Sequence, residues 1–368
     1  FFNNLELINP SEKGFNMIDK KKPILVTGGS GYIASWIIQY LLADGHQVRA
    51  TVRDKKNTKK VSHLDKINSE TKGELELFEA DLNSEGSFDK AIKDCELVIH
   101  TASPFVIGKV KDPLKDLIEP AENGTKNVLD GVNRVGGVKR VVLTSSVAAI
   151  YSDSIDISQT PKGIFDEECW NTTSSLKHNP YSYSKTLAEK KAWEIHDKQD
   201  KWGLVTINPS FVLGPSLSER IDGASVDFIR SMVNGKLATG VPKTEIGIVD
   251  VRDVANAHIK AGLSPDVKGR HILTAKSISM LEMAKLLREN FEGKYKIPKK
   301  EVPKFMFYIL GPIIAGLSWE WVSKNIGYEI KFDNTKSIKG LGIQYKDAKE
   351  TLVSHVEQLE KSNLIFNK

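Results

Sequence analysis

A chain of 368 residues is long enough to bury a sizeable core and suits either two domains or one α/β domain with a large extension. Hydrophobic residues at 40% and charged residues at 27% are ordinary for a globular enzyme and exclude a disordered or fibrous chain. The 52 basic and 47 acidic residues are well mixed, so the net charge of +5 gives no reason to expect nucleic acid. Only Cys95 and Cys169 are present, outside any CxxC spacing, and a reduced, cytoplasmic protein is expected.

Residues 1–16 have neither the charged start nor the apolar centre of a signal peptide and read as an irregular tail before Met17. The run 24–27 is a short strand ending at a glycine-rich turn, Val26-Thr27-Gly28-Gly29-Ser30-Gly31, and 32–42 carries helix-period apolar residues until Asp44-Gly45. Strand, turn and helix in that order let backbone N–H groups approach a pyrophosphate, with Gly28 and Gly31 giving the tight turn and Ala34 a third small position. Further strands are predicted at 47–52, 75–78, 97–101, 141–144 and 204–207, with helical patterns between them. The alternation implies a Rossmann-type, doubly wound parallel sheet with ligands at the carboxyl ends of its strands. From Pro209 the pattern breaks into short pieces, so a dinucleotide-binding domain over 17–208 and a mainly substrate-binding lobe over 209–368, with some return of chain to the sheet, are expected.

The second strand ends Thr51-Val52-Arg53-Asp54, followed by Lys59 and Lys60. A ribose 2′-phosphate wants Arg or Lys, whereas a free 2′-OH wants an acid. Arg53 with Lys60 favours NADP; Asp54 is the residue that NAD would use, and most lysines of 55–60 fit a solvated loop equally well. Asp81 is placed either to accept from the adenine amino group or to cap the next helix.

Asn179-Pro180 reads as a helix start, Asn as N-cap and Pro as first helical residue, which puts Tyr181 in the first turn and Lys185 one turn later on the same face. The Lys185 charge and the helix N-terminus both favour the phenolate, so a lowered Tyr181 pKa and a proton-transfer role are expected. Tyr183 falls on a different face and reads as packing or substrate wall. Ser146, after the fifth strand, is placed to hydrogen-bond a substrate carbonyl, with Ser145 the neighbouring alternative. The phosphate turn and this constellation together read as a nicotinamide-dependent oxidoreductase.

These residues resemble the short-chain dehydrogenase/reductase superfamily, extended type. Within it they are most similar to the branch of dihydroflavonol reductases, cinnamoyl-CoA reductases and fungal aldehyde/ketone reductases. The resemblance runs from about Pro23 to Leu364. It is carried by the glycine-rich turn through Trp36, Val48 through Asp54, Ala80-Asp81-Leu82, His100-Thr101-Ala102-Ser103-Pro104, Leu143-Thr144-Ser145-Ser146 and Tyr181 through Lys190. It implies a catalytic triad of Ser146, Tyr181 and Lys185. It also implies cofactor contacts from Gly28, Ser30, Gly31, Tyr32, Ile33, Arg53, Lys60, Asp81, Leu82, Thr101, Ala102, Ser103, Thr144, Tyr181, Lys185 and Pro209. The 304–328 stretch is longer and more apolar than the plant flavonoid enzymes would lead one to expect, which argues against a flavonoid substrate.

NADPH-dependent reduction of an aldehyde or ketone is therefore the leading expectation. A nucleotide-sugar epimerase or hydroxysteroid dehydrogenase, and a non-catalytic NADP-binding sensor, are the alternatives. Phe105, Phe211 and Leu213 are expected to wall an apolar substrate pocket. The run 305–317, too short to span a bilayer, reads as a core or lid helix bent at Gly311-Pro312, with a substrate mouth or membrane-surface contact as the alternative. Asp253 is expected to be an N-cap with no catalytic role. His100, His178 and His258 lack partners at metal-ligand spacing, so no metal site is expected.

Overall fold

The computed structural model describes residues 18–104, 110, 112–219, 223–314 and 317–366. The expected tail and Phe105 lie outside them. Among the described residues twelve strands follow in chain order: β1 Ile24–Thr27, β2 Gln47–Val52, β3 Glu74–Glu79, β4 Leu97–His100, β5 Arg140–Thr144, β6 Gly203–Pro209, β7 Phe211–Leu213, β8 Val241–Pro242, β9 Glu245–Asp250, β10 Gly269–Leu273, β11 Lys276–Ser279 and β12 Glu301–Val302. Seven of them form one parallel sheet in the order β3-β2-β1-β4-β5-β6-β10. The chain thus leaves β1 toward β3, returns across it to β4, and grows the other half outward. That reversal creates a crevice outside the carboxyl ends of β1 and β4.

Parallel strands are covered on both faces, which is why β1 reads as the unbroken run Ile-Leu-Val-Thr and is buried throughout. Its alternate residues serve opposite layers. Ile24 and Val26 pack with Ile37, Ile38 and Leu41 of α1 (Tyr32–Ala43), next to Val61 and Leu64 of α2 (Thr58–Ser69). Leu25 packs with Ala91 and Ile92 of α3 (Asp89–Ile92), with Val128, Leu129 and Val132 of α4 (Glu119–Val135), and with Ala192 of α5 (Pro180–His196). At roughly 1.5–3 kcal/mol for each large apolar side chain removed from water, these two layers fix the sheet and so the places where its strands end.

A second core lies in the C-terminal half. Leu213 packs there with Ile229 and Met232 of α6 (Ala224–Val233), Met283 and Leu287 of α8 (Met280–Asn290), and Leu352 and Val356 of α12 (Ala348–Lys361). Between these helices, α7 (Val251–Leu263) packs on α1 and sends Val254, Ala257 and Ala261 into the first core. The remaining α-helices among the described residues are α9 (Lys304–Ile314), α10 (Trp319–Asn325) and α11 (Thr335–Leu341). No helix among the described residues is long and apolar enough to cross a membrane.

Three local expectations change. Asp250, not Asp253, caps α7: its Oδ1 accepts from Arg252 N at 2.8 Å, while Asp253 Oδ2 accepts from Lys346 N. Asp81 caps no helix, because its Oδ1 accepts from Asn83 N in a turn before α3. Of the core and lid readings of the apolar run, the core one fails at its start: α9 continues through Gly311-Pro312, and Phe305 and Ile309 are each 61% exposed.

Candidate active site

The phosphate turn is shaped by contacts that only glycine allows. Gly28 has φ +69°, and a Cβ there would meet the Ala102 backbone at 2.9 Å; one on Gly29 would meet Ala50 Cβ at 2.8 Å. The turn therefore lies directly against the end of β4 and against β2. No side chain caps α1, whose first turn follows Gly31, so its positive end is available to an anion. Thr27 ties the crevice together: its Oγ1 contacts His100 Nδ1 at 2.7 Å and accepts from Ala102 N at 3.1 Å, while Thr101 Oγ1 donates to Thr27 O at 2.6 Å. Burial, with the charge of Lys185, lowers His100 to about 3, so it is a neutral strut. Gly28→Ala is expected to destabilise the fold by about 1–2 kcal/mol from the left-handed backbone alone. It should also weaken dinucleotide binding; thermal unfolding with and without the dinucleotide measures both.

At the other end of the crevice, Arg53 is exposed just after β2 and has no acidic partner among the described residues. Asp54 turns away from it, its Oδ1 accepting from Lys56 N at 2.8 Å. Lys60 lies in the first turn of α2, which holds no acid. Asp81 is exposed, and Leu82 packs on Gly124 while its carbonyl accepts from Asn127.

Tyr181 and Lys185 stand on α5. It starts at Pro180 as expected, but Asn179 does not cap it. With φ +50°, Asn179 instead sends its Nδ2 to Ser152 Oγ at 2.9 Å and Asp153 Oδ1 at 3.1 Å. His178 also meets buried Asp153, and Asn325 of α10 donates to the same carboxylate at 2.6 Å. This polar knot fixes the start of the helix just ahead of Tyr181.

Lys185 reaches across the crevice and donates to Ser103 Oγ at 2.8 Å, joining α5 to the loop after β4. Ala102, Ser103, Thr144, Ser145, Lys185 and Glu189 line a small cavity there. Ser146 follows β5, and its Oγ accepts from Ala148 N at 3.1 Å, which leaves its proton to give. Ser145 is 6% exposed and donates to Glu189, so it is committed to the interior. Thr144 Oγ1 meets His258 Nε2 at 2.7 Å, and Pro209 is buried at the end of β6.

The expected lowering of the Tyr181 phenol does not hold in this state. Lys185 Nζ is 5.8 Å from the Tyr181 ring centroid and bonded elsewhere, so desolvation by the surrounding protein raises the phenol. The side chain is still 48% exposed, which makes that desolvation partial. Burial also lowers Lys185 to about 8.

The expected pocket residues separate. Phe211 is half-buried edge-on to Phe228 at 5.1 Å, whereas Leu213 is fully buried in the second core and walls no open cleft. The described residues hold no group of three or more His, Cys, Asp or Glu able to bind a metal. The sequence reading missed the buried Glu189–Arg270 pair beneath Ser145, although Glu189 stands one further helical turn from Lys185.

A parallel sheet with a glycine-rich turn at its switch point, and a Lys of α5 bonded to the loop after β4 beside it, has the architecture of a Rossmann-type oxidoreductase. The model of the NAD dependent epimerase/dehydratase family matches residues 24–274, and the chain belongs to that family. It is 43% identical over 280 residues to cinnamoyl-CoA reductase CAD2 of Medicago truncatula, covering 75% of this chain and 83% of that one. Among solved structures, Gre2 from Candida albicans in complex with NADPH matches with TM-score 0.73 and 30% identity, over 93% of this chain and 99% of the other. The yeast methylglyoxal/isovaleraldehyde reductase Gre2 complexed with NADPH matches with TM-score 0.75 and 28% identity over the same shares.

Proposed function

We propose that this enzyme reduces an aldehyde or ketone to the alcohol with NADPH, in the cytoplasm, and that Ser146, Tyr181 and Lys185 carry the reaction. The observation that supports this most is the Lys185–Ser103 bond, which brings the proton-handling helix to the switch-point crevice. The glycine cradle fits a pyrophosphate, and Arg53, with no acidic partner among the described residues, followed in sequence by the acid-free start of α2, fits a 2′-phosphate better than a free ribose. Bound NADPH supplies a hydride to the carbonyl carbon. Ser146 donates to the carbonyl oxygen as charge builds there, Tyr181 delivers the proton, and Lys185 holds the ribose and polarises the phenol. The similarity to a cinnamoyl-CoA reductase and to a methylglyoxal/isovaleraldehyde reductase supports carbonyl reduction over epimerisation, and the presence of all three residues argues against a non-catalytic sensor. Half-buried Phe211 favours an apolar substrate.

Mixing the purified protein with NADPH and a panel of aliphatic, aromatic and keto-ester carbonyls tests the proposal by absorbance. Carbonyl-dependent oxidation is expected, and binding without turnover on every carbonyl would leave the sensor reading instead.

The same site makes a pH prediction. Lys185 sits at about 8 without nucleotide, and anionic phosphates nearby raise it toward the usual lysine range. The complex then holds a proton that the free protein has lost, so affinity for NADPH is expected to fall as pH rises above about 8. Calorimetry at alkaline pH in two buffers of different ionisation enthalpy should show proton uptake on binding. Its absence would separate Lys185 from the nucleotide.

A further inference from the structure

Glu189 sits on α5 at the i+4 position from Lys185 and the i+8 position from Tyr181, so it continues the same helical stripe inward. Its carboxylate is fully buried and collects donors from β10, from β6 and from the turn after β5. Arg270 Nε of β10 donates to Oε1 at 2.7 Å, and Thr206 Oγ1 lies 3.2 Å from the same atom. Asn208 Nδ2 of β6 donates to Oε2 at 2.7 Å, and the Ser145 hydroxyl donates to Oε2 as well. A buried carboxylate is tolerated only with this density of partners, and once satisfied such a network holds one arrangement strongly.

The network closes on a single turn of chain. Ser145 is held by its hydroxyl. The Ser146 carbonyl accepts from Asn208 Nδ2 at 3.2 Å, from the same amide that Glu189 anchors. The Ala149 carbonyl accepts from Arg270 Nη2 at 3.3 Å, and that guanidinium is locked over the Trp170 ring at 3.8 Å. Each of these grips on residues 145–149 thus runs through Glu189 or its ion-pair partner.

We infer that Glu189 is the positioning residue that aims the Ser146 hydroxyl at the substrate carbonyl. The inference rests on the proposed role of Ser146. It goes further in tying the aim of that hydroxyl to a buried ion pair carried on the same helix as Tyr181 and Lys185. Glu189 itself touches neither substrate nor cofactor in this reading. In Glu189→Gln, keeping the amide oxygen on Arg270 turns the amide NH2 toward Asn208 Nδ2, donor against donor, and frees the Ser146 carbonyl.

The test is a double-mutant cycle on the full-length protein with NADPH and a carbonyl substrate from the panel. Glu189→Gln is expected to lower kcat about tenfold, a part of the ~10²-fold that losing such a donor costs, while KM and the NADPH Kd stay within about twofold. In the Ser146→Ala background the same change is expected to have almost no further effect, because there is no hydroxyl left to aim. A merely structural role would cost the same factor in both backgrounds, and that additivity overturns the inference. Full turnover in Ser146→Ala alone would instead overturn the reading of Ser146, and the inference with it. Should Glu189→Gln not fold, Asn208→Ala keeps the ion pair, removes the bridge to Ser146, and is expected to show the same non-additivity.

Discussion

Tyr181→Phe is expected to lower turnover by about 10²–10⁴-fold, the usual worth of a positioned general acid, while NADPH binds nearly as well as before. The phenol alone is lost; the ring, Lys185 and the crevice remain. The upward displacement of the Tyr181 pKa bears on the direction of catalysis. A phenol held above its ordinary value stays protonated throughout the neutral range, which suits an acid that gives its proton to a developing alkoxide. In the reduction direction, kcat/KM should therefore be flat in pH until Tyr181 or Lys185 titrates. Tyr183→Phe serves as the control: it is half-buried two residues from Lys185 on another face and should keep near-normal turnover. Single-turnover NADPH oxidation, with Kd from nucleotide fluorescence, separates these outcomes. Near-normal turnover in Tyr181→Phe with loss in Tyr183→Phe would reassign the acid.

The strands β1, β4, β5 and β6 were legible because a parallel strand covered on both faces is mostly apolar along its length, as in Ile24 to Thr27 or Val141 to Leu143, whereas β2 and the edge strand β3 were legible by alternation, as in Glu74-Leu75-Glu76-Leu77. The strand β10 was not. Its sequence Gly-Arg-His-Ile-Leu, at the edge of the sheet, buries two polar residues in a strand that carries no apolar run to mark it, and only the structure shows Arg270 paired with Glu189. The same long-range pairing hid the support of Ser146, since Glu189 and Arg270 are 81 residues apart. Caps misread for a related reason: Asn179 has the right identity and place, yet its amide finds Asp153, 26 residues earlier, instead of the helix it precedes. Spacing can place Tyr181 and Lys185 on one face but not choose the Lys185 rotamer, and here the ammonium prefers Ser103 to the phenol. The exposed face of α9 had no period to betray it, because its apolar residues run all round the helix.

Arg53→Ala is expected to weaken NADPH binding tenfold or more and to leave NADH little changed. Charge-assisted hydrogen bonds to the 2′-phosphate exist with one cofactor and not the other, and losing one costs roughly 1.5–3 kcal/mol. The setting of Arg53 supports this size of effect. It has no carboxylate to compete for its guanidinium among the described residues, and the adjacent Asp54 is spent on the turn at Lys56. Nearby, α2 opens with Lys59 and Lys60 and no acid in its first turn. Two cations at the positive end of a helix are unfavourable by themselves, and an anion bound between them and Arg53 removes that cost. Lys60→Ala should accordingly give a smaller loss with the same selectivity, and the loss should shrink at high salt as the point charge is screened. Fluorescence titration of both nucleotides against both variants decides the matter. Equal weakening of NADPH and NADH in Arg53→Ala would make Arg53 a stacking surface for the adenine, and a preference of the unsubstituted protein for NADH would return the ribose to Asp54.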